Sequence, residues 1–129
     1  MPNNEIYSDL MYIAEDELES AKILANHHRP KIEISTNLCQ LCAEKSLKAF
    51  LAFHNVKFKY IHNLLIINND CQKIDSSFKT ILNECRYLNK FVSNNRYEKH
   101  LTISESDMQI AIKFAEKILN FVKNKTKEM

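Results

Sequence analysis

The chain of 129 residues contains no glycine and only two prolines, at positions 2 and 30. Glycine is the ordinary residue wherever φ must be positive, and two-residue hairpin turns depend on it heavily. Its absence argues against a sheet or barrel. It also removes the Gly-rich loops that cradle phosphates in P-loop and dinucleotide folds. Helices tolerate the loss, because Asn can serve at C-caps and turns. Asn26, Asn55, Asn68, Asn69, Asn94 and Asn95 all stand where breaks are expected. Long apolar runs are missing too: none, Leu64 to Ile67 among them, approaches the roughly 20 residues of a membrane span. The opening MPNNEIYSDL has neither a basic nor an apolar leader region, so no signal peptide is read. A cytoplasmic protein with reduced cysteines is the expectation. The net charge of +2, from 18 basic and 16 acidic residues, demands no polyanionic partner but leaves room for a local basic patch.

What is present is helical periodicity. Leu10, Met11, Ala14, Leu18, Ala21 and Ala25 recur in steps of three and four, with Glu15, Asp16, Glu19 and Lys22 opposite. The spacing predicts a first helix over about 4–27, closed by Pro30. A second helix, about 32–54, is apolar around most of its circumference. Its polar stripe is narrow: Asn37, Gln40, Glu44, Lys48 and Asn55. Such a helix packs on more than one neighbour and is expected at the centre of a bundle or facing a partner subunit as well. After the connector NVKFKY, a shorter helix is expected from His62 to about Ile74. A fourth, capped by Ser76 or Ser77, carries Phe78, Ile81, Leu82, Cys85, Leu88 and Val92. Residues 93–102 read as a polar loop. Ser104 and Asp107 resemble a capping box flanked by Ile103 and Met108, opening a last helix with Ala111, Ile112, Ala115, Leu119 and Val122 on one face. The charged end KNKTKEM is expected to fray. The whole predicts one all-α domain over 1–129, with an ordered core over about 5–123 and a tail at 124–129. Its architecture is an antiparallel up-and-down bundle of four to five helices.

Three groups of residues could carry chemistry. Cys39 and Cys42 form a C-x-x-C pair, but a zinc half-site needs two further ligands at matching spacing, and Cys71 and Cys85 lie apart on other helices. A redox C-x-x-C opens a helix after a strand, whereas here a helical turn precedes the pair. Both cysteines fall on the apolar face, where the residue behaves as a small hydrophobe. No metal or cofactor is therefore expected. His27, His28 and His54 sit at helix ends, where a cation suits the dipole; His62 reads as a cap or a site residue. The third group is Arg96-Tyr97-Glu98-Lys99-His100. Arginine is scarce, three against fifteen lysines. Its planar fork suits phosphate, and histidine suits proton transfer near neutral pH. A solvated polar loop is the plainer reading of the same residues.

Taken together these motifs resemble the HEPN family over about residues 5 to 123. The first helix holds AEDELESAKIL, Ala14 to Leu24, against a family A-x-x-D-L-x-x-A-x-x-L. The second holds QLCAEKSLKAFL, Gln40 to Leu51, close to the family core Q-x-A-A-E-K-A-L-K-A-L-L. His62-Asn63-Leu64 matches H-x-L, Arg96-Tyr97 matches the start of R-Y-P with Glu98 in place of Pro, and the spacing from Ala111 onward matches the last helix. The resemblance implies a helical bundle, usually a homodimer, in a cytosolic prokaryotic setting. Many such proteins bind a nucleotide or act beside a nucleotidyltransferase partner. Other branches are metal-independent endoribonucleases, often from toxin-antitoxin pairs, built on R-x(4–6)-H. Here three residues separate Arg96 from His100, so the non-catalytic branch fits better. No residue is assigned as catalytic with assurance, Arg96 and His100 being the candidates. Arg96, Tyr97, His100 and His62 are the expected ligand contacts, to a nucleotide or RNA.

Overall fold

The computed structural model describes residues 4–92 and 102–127. Its helices are Asn4–Ala25 (α1), Ile32–Phe53 (α2), Leu64–Gln72 (α3), Leu82–Asn89 (α4) and Glu105–Lys125 (α5), with a 3₁₀ segment, Ser76–Ile81, leading into α4. Among the described residues there is no strand. The fold is the all-α bundle expected. α2 lies at its centre and touches α1, α3, α4 and α5. Its apolar circumference explains this: Cys39, Cys42, Ala43, Leu47, Phe50 and Leu51 are all buried, on several sides of the helix. Phe78 stacks between Phe50 and Phe121, at ring separations of 4.4 and 4.9 Å, and joins the 3₁₀ segment to α2 and α5.

The helix ends show how the chain turns without glycine. Asn55 takes φ 59° just beyond α2. Its N–H bonds to the Ala52 carbonyl at 3.0 Å and the Val56 N–H to that of Leu51 at 2.9 Å. This is the Schellman pattern, with Asn in the position glycine usually takes. After α1, Arg29 takes φ 61° immediately before Pro30, a conformation that costs a non-glycine residue about 1–2 kcal/mol. Asn68 and Asn69, expected at a break, lie inside α3 instead. Asn68 is fully buried and donates to the Phe78 carbonyl at 3.1 Å, so its amide serves tertiary packing. The cap before the 3₁₀ segment is Asp75, whose carboxylate accepts from the Ser77 N–H at 2.9 Å, in place of Ser76 or Ser77. The capping box of Ser104 and Asp107 is present at the start of α5. The charged end does not fray at once. α5 runs to Lys125, and the Thr126 hydroxyl, itself buried, meets the Tyr7 hydroxyl at 2.6 Å.

The pairings fix helix directions. Tyr7 meets Thr126, Glu15 meets Lys123 and Lys22 meets Glu116, so α1 and α5 run antiparallel. Glu84 meets Lys117 and Tyr87 meets Asp107, so α4 and α5 do likewise. In contrast, His62 lies level with Gln40 and Cys71 with Leu47, so α3 runs parallel to α2. The connector of residues 54–63 must therefore travel back along α2 as a strap. At 1.5 Å per helical residue, it climbs about 20 Å, from the level of Phe53 to that of Gln40.

All four cysteines are buried and free. Burial pushes the thiols of Cys39 and Cys85 up to about 12 and raises those of Cys42 and Cys71 as well. Among the described residues, no group of three or more His, Cys, Asp or Glu is placed to hold a metal ion. The native protein should consequently resist a thiol reagent such as DTNB at pH 8, and unfolding in guanidinium should release all four thiols. Rapid native labelling of Cys39 or Cys42 would contradict this packing.

Candidate functional site

The polar stripe of α2 is not a solvated face. Asn37, Gln40, Glu44 and Lys48 follow one another at three- and four-residue steps, and all four are buried. Each must find a partner, because a buried polar group left unpaired costs about 1–3 kcal/mol and a charged one more. Asn37 donates to the Phe91 carbonyl at 3.1 Å, just beyond α4. Gln40 donates to the His62 carbonyl at 3.1 Å and to Glu44 at 3.3 Å. Lys48 donates to Glu44 at 2.9 Å and holds its ammonium 5.5 Å from the centre of the Phe58 ring. The His62 Nδ1 lies 3.0 Å from both carboxylate oxygens of Glu44.

Glu44 is the hub. Burial by itself would raise its pKa. The hydrogen bonds from Lys48 and His62, the charge of Lys48 and the Gln40 amide together outweigh that and hold it below the ordinary value of 4.5. The ionised carboxylate only accepts hydrogen bonds, so Nδ1 of His62 carries the proton toward it. The imidazole is thereby held in one orientation, as a carboxylate does for histidine in many catalytic and binding sites. The His62 side chain is nevertheless 65% exposed. With Nδ1 engaged, the accessible Nε2 can accept a proton and, once protonated, donate to a phosphate oxygen, and a histidine buried in the core could do neither.

The neighbouring ends are tied to the same place. Asn63 caps α3 by accepting from the N–H groups of Leu65 and Ile66, and Asn89 of α4 accepts from that of Leu64 at 2.8 Å. Sequence reasoning had expected the helix to begin at His62; Asn63 takes the cap and leaves His62 on the strap. On the far side, Tyr87 donates to the Asp107 carbonyl at 3.2 Å, and Lys90 sits 3.9 Å from the Tyr87 ring centre. Arg96, Tyr97 and His100 lie outside the described residues. Glu44, Gln40 and Asn37 are the partners that sequence reasoning missed. Their stripe was visible, but what lay against it was not.

A family model for the HEPN domain matches residues 7–125. The chain belongs to the HEPN family. Among solved structures it is similar to an archaeal HEPN homologue, with 27% sequence identity and a TM-score of 0.73 over 94% of this chain and 98% of that one. No curated protein matches. HEPN membership supports a nucleotide- or RNA-related role, and the all-α bundle is the fold that this relationship carries. Among the described residues no helix is long and apolar enough to cross a membrane.

The hub generates a stability prediction. Removing one member of a buried ion pair leaves the other uncompensated and costs about 3–5 kcal/mol. Glu44→Ala should therefore lower urea stability by about that amount, and His62→Ala, whose ring water can replace, by about 1 kcal/mol or less. A depressed carboxylate stabilises the fold above its unfolded pKa and ceases to do so as pH falls through its folded value. Wild-type stability should accordingly drop as pH falls below the ordinary value of 4.5, and Glu44→Gln should flatten that acid limb.

Proposed function

We propose that this HEPN protein is a nucleotide- or RNA-binding accessory module of the cytoplasm, without catalysis of its own. It acts as a homodimer beside a nucleotidyltransferase partner. The observation that carries the reading is the Glu44–His62 pair, in which a buried carboxylate orients an exposed imidazole. Family membership adds the nucleotide- or RNA-related context. Arg96, Tyr97 and His100 supply the remaining contacts in this reading: Arg96 takes a phosphate in its donor fork, Tyr97 stacks on a base and His100 hydrogen-bonds the ligand. The interval of three residues between Arg96 and His100 favours binding over cleavage.

A second reading, a metal-independent endoribonuclease of toxin type, draws on Arg96 and His100. In it, Arg96 steadies the scissile phosphate while His100 assists the attack of the ribose 2′-OH, a proton transfer that a positioned histidine suits.

Affinity for ATP and for a structured RNA, measured by titration, should fall at least tenfold in Arg96→Ala, and less in His62→Ala. Unchanged affinity in Arg96→Ala removes the site assignment. Cleavage of the RNA in excess chelator, abolished by His100→Ala, decides for the ribonuclease. Pull-down with mass spectrometry is expected to recover a nucleotidyltransferase; an antitoxin-like partner with growth arrest on expression points to the second reading.

A further inference from the structure

We infer that the strap between α2 and α3 is a contact surface for single-stranded RNA, with Tyr60 as a base-stacking platform and Lys57 and Lys59 as phosphate contacts. The inference rests on the nucleic-acid reading above and adds to it a surface formed by residues other than Arg96, Tyr97 and His100.

Four observations support it. The Tyr60 side chain stands almost wholly in solvent, at 97% exposure, whereas aromatic rings ordinarily bury most of their area. Beside it lies a cleft of about 430 Å³, lined by Ile6, Val56, Lys57, Phe58 and Tyr60 among others. This is within the range of about 300–1,000 Å³ of small-ligand clefts. The charge is of one sign: no Asp or Glu occurs between Glu44 and Asp70, while Lys57 and Lys59 lie on the strap. Neither Lys57 nor Lys59 is in an ion pair among the described residues, and both are exposed. No acidic residue lines the cleft; Glu5 and Asp9, on the first turns of α1, are the nearest acidic groups in sequence to Ile6.

Comparison within the molecule sharpens the choice of occupant. A second cleft, between α1 and α5, is lined by Lys22 and Lys123, and each is already paired, with Glu116 and Glu15. It offers no uncommitted cation. The strap offers two exposed lysines, Lys57 and Lys59, beside the exposed ring of Tyr60, while Phe58 between them packs against the core. Proteins that bind single strands combine aromatic stacking with a basic track in the same way. A lone mononucleotide would use the ring and one cation, whereas two lysines beside the ring suit successive phosphates of a chain. His62, at the end of the strap, joins this surface to the site already described.

The test is fluorescence anisotropy of the full chain with labelled oligouridylate and oligoadenylate of about twelve nucleotides, a length covering single-strand sites, in chelator. Tyr60→Ala should weaken binding about 5- to 150-fold, the value of one base–aromatic stack. Tyr60→Phe should retain it. Lys57→Ala/Lys59→Ala should reduce the slope of log affinity against log salt by about 1.4, two phosphates of a single strand. Affinity for ATP should not change in these variants. Thermal melts should match wild type, since Tyr60 supports no packing. If the strap variants bind oligonucleotides like wild type while Arg96→Ala does not, the strap inference falls and the proposed function stands. If wild type binds neither oligonucleotide nor ATP, both fall. A change in oligomeric mass in Tyr60→Ala with RNA affinity intact makes the strap a protein interface and overturns the inference.

Discussion

The carboxylate of Glu44 is almost wholly buried, and the arrangement of one end of the bundle follows from finding it donors. Two come from its own helix, Gln40 and Lys48. The third, His62, lies eighteen positions away and arrives only if residues 54–63 double back along α2. That path sets the level at which α3 begins. Asn89 then ties the start of α3 to the end of α4, and Asn37 holds the Phe91 carbonyl one turn along the same stripe. A single desolvated charge thus fixes the relative heights of three helices. Buried ion pairs are often replaceable by apolar side chains with no loss of stability. Their contribution here is register, which an apolar contact specifies poorly because it has no direction.

The remainder of the core follows a different logic, that of size. Ala14, Ala21 and Ala25 on α1 and Cys39, Cys42 and Ala43 on α2 are small and wholly or almost wholly buried. Small residues bring helix backbones close, and the Ser35 hydroxyl reaches the Ala21 carbonyl at 2.9 Å. In this setting, sulfur is volume. Each thiol has been removed from water, which disfavours the thiolate that nucleophilic and redox chemistry requires.

The sequence made the helices legible where pattern is local. The steps of three and four along α1 and the Ser104–Asp107 box at α5 need no tertiary partner to be read. The polar stripe of α2, with Glu44 and Lys48 four residues apart on it, was legible for the same reason. The return of the strap was not, since nothing in NVKFKYIH states a direction; only the contact between His62 and Glu44 does. Asn68 misled because asparagine breaks helices when its amide bonds locally, and here the amide is occupied by the Phe78 carbonyl ten residues away. Asp75 was overlooked beside two serines that cap equally well in isolation. Of the site residues, His62 is placed with its partner. Arg96, Tyr97 and His100 rest on motif and spacing, outside the described residues.

The contact of Tyr7 with Thr126 bears on how the chain reaches this state. It joins residues 119 positions apart, and the salt bridges along the same α1–α5 seam span almost as much chain. Closing so large a loop costs entropy before the contacts repay it. The hairpin of α1 and α2, linked by only a short turn, closes a far smaller loop. Of the contacts made by α5, this seam closes the longest loop, whereas its packing on α2 and α4 and the Phe121–Phe78 contact join parts of the chain that lie closer together.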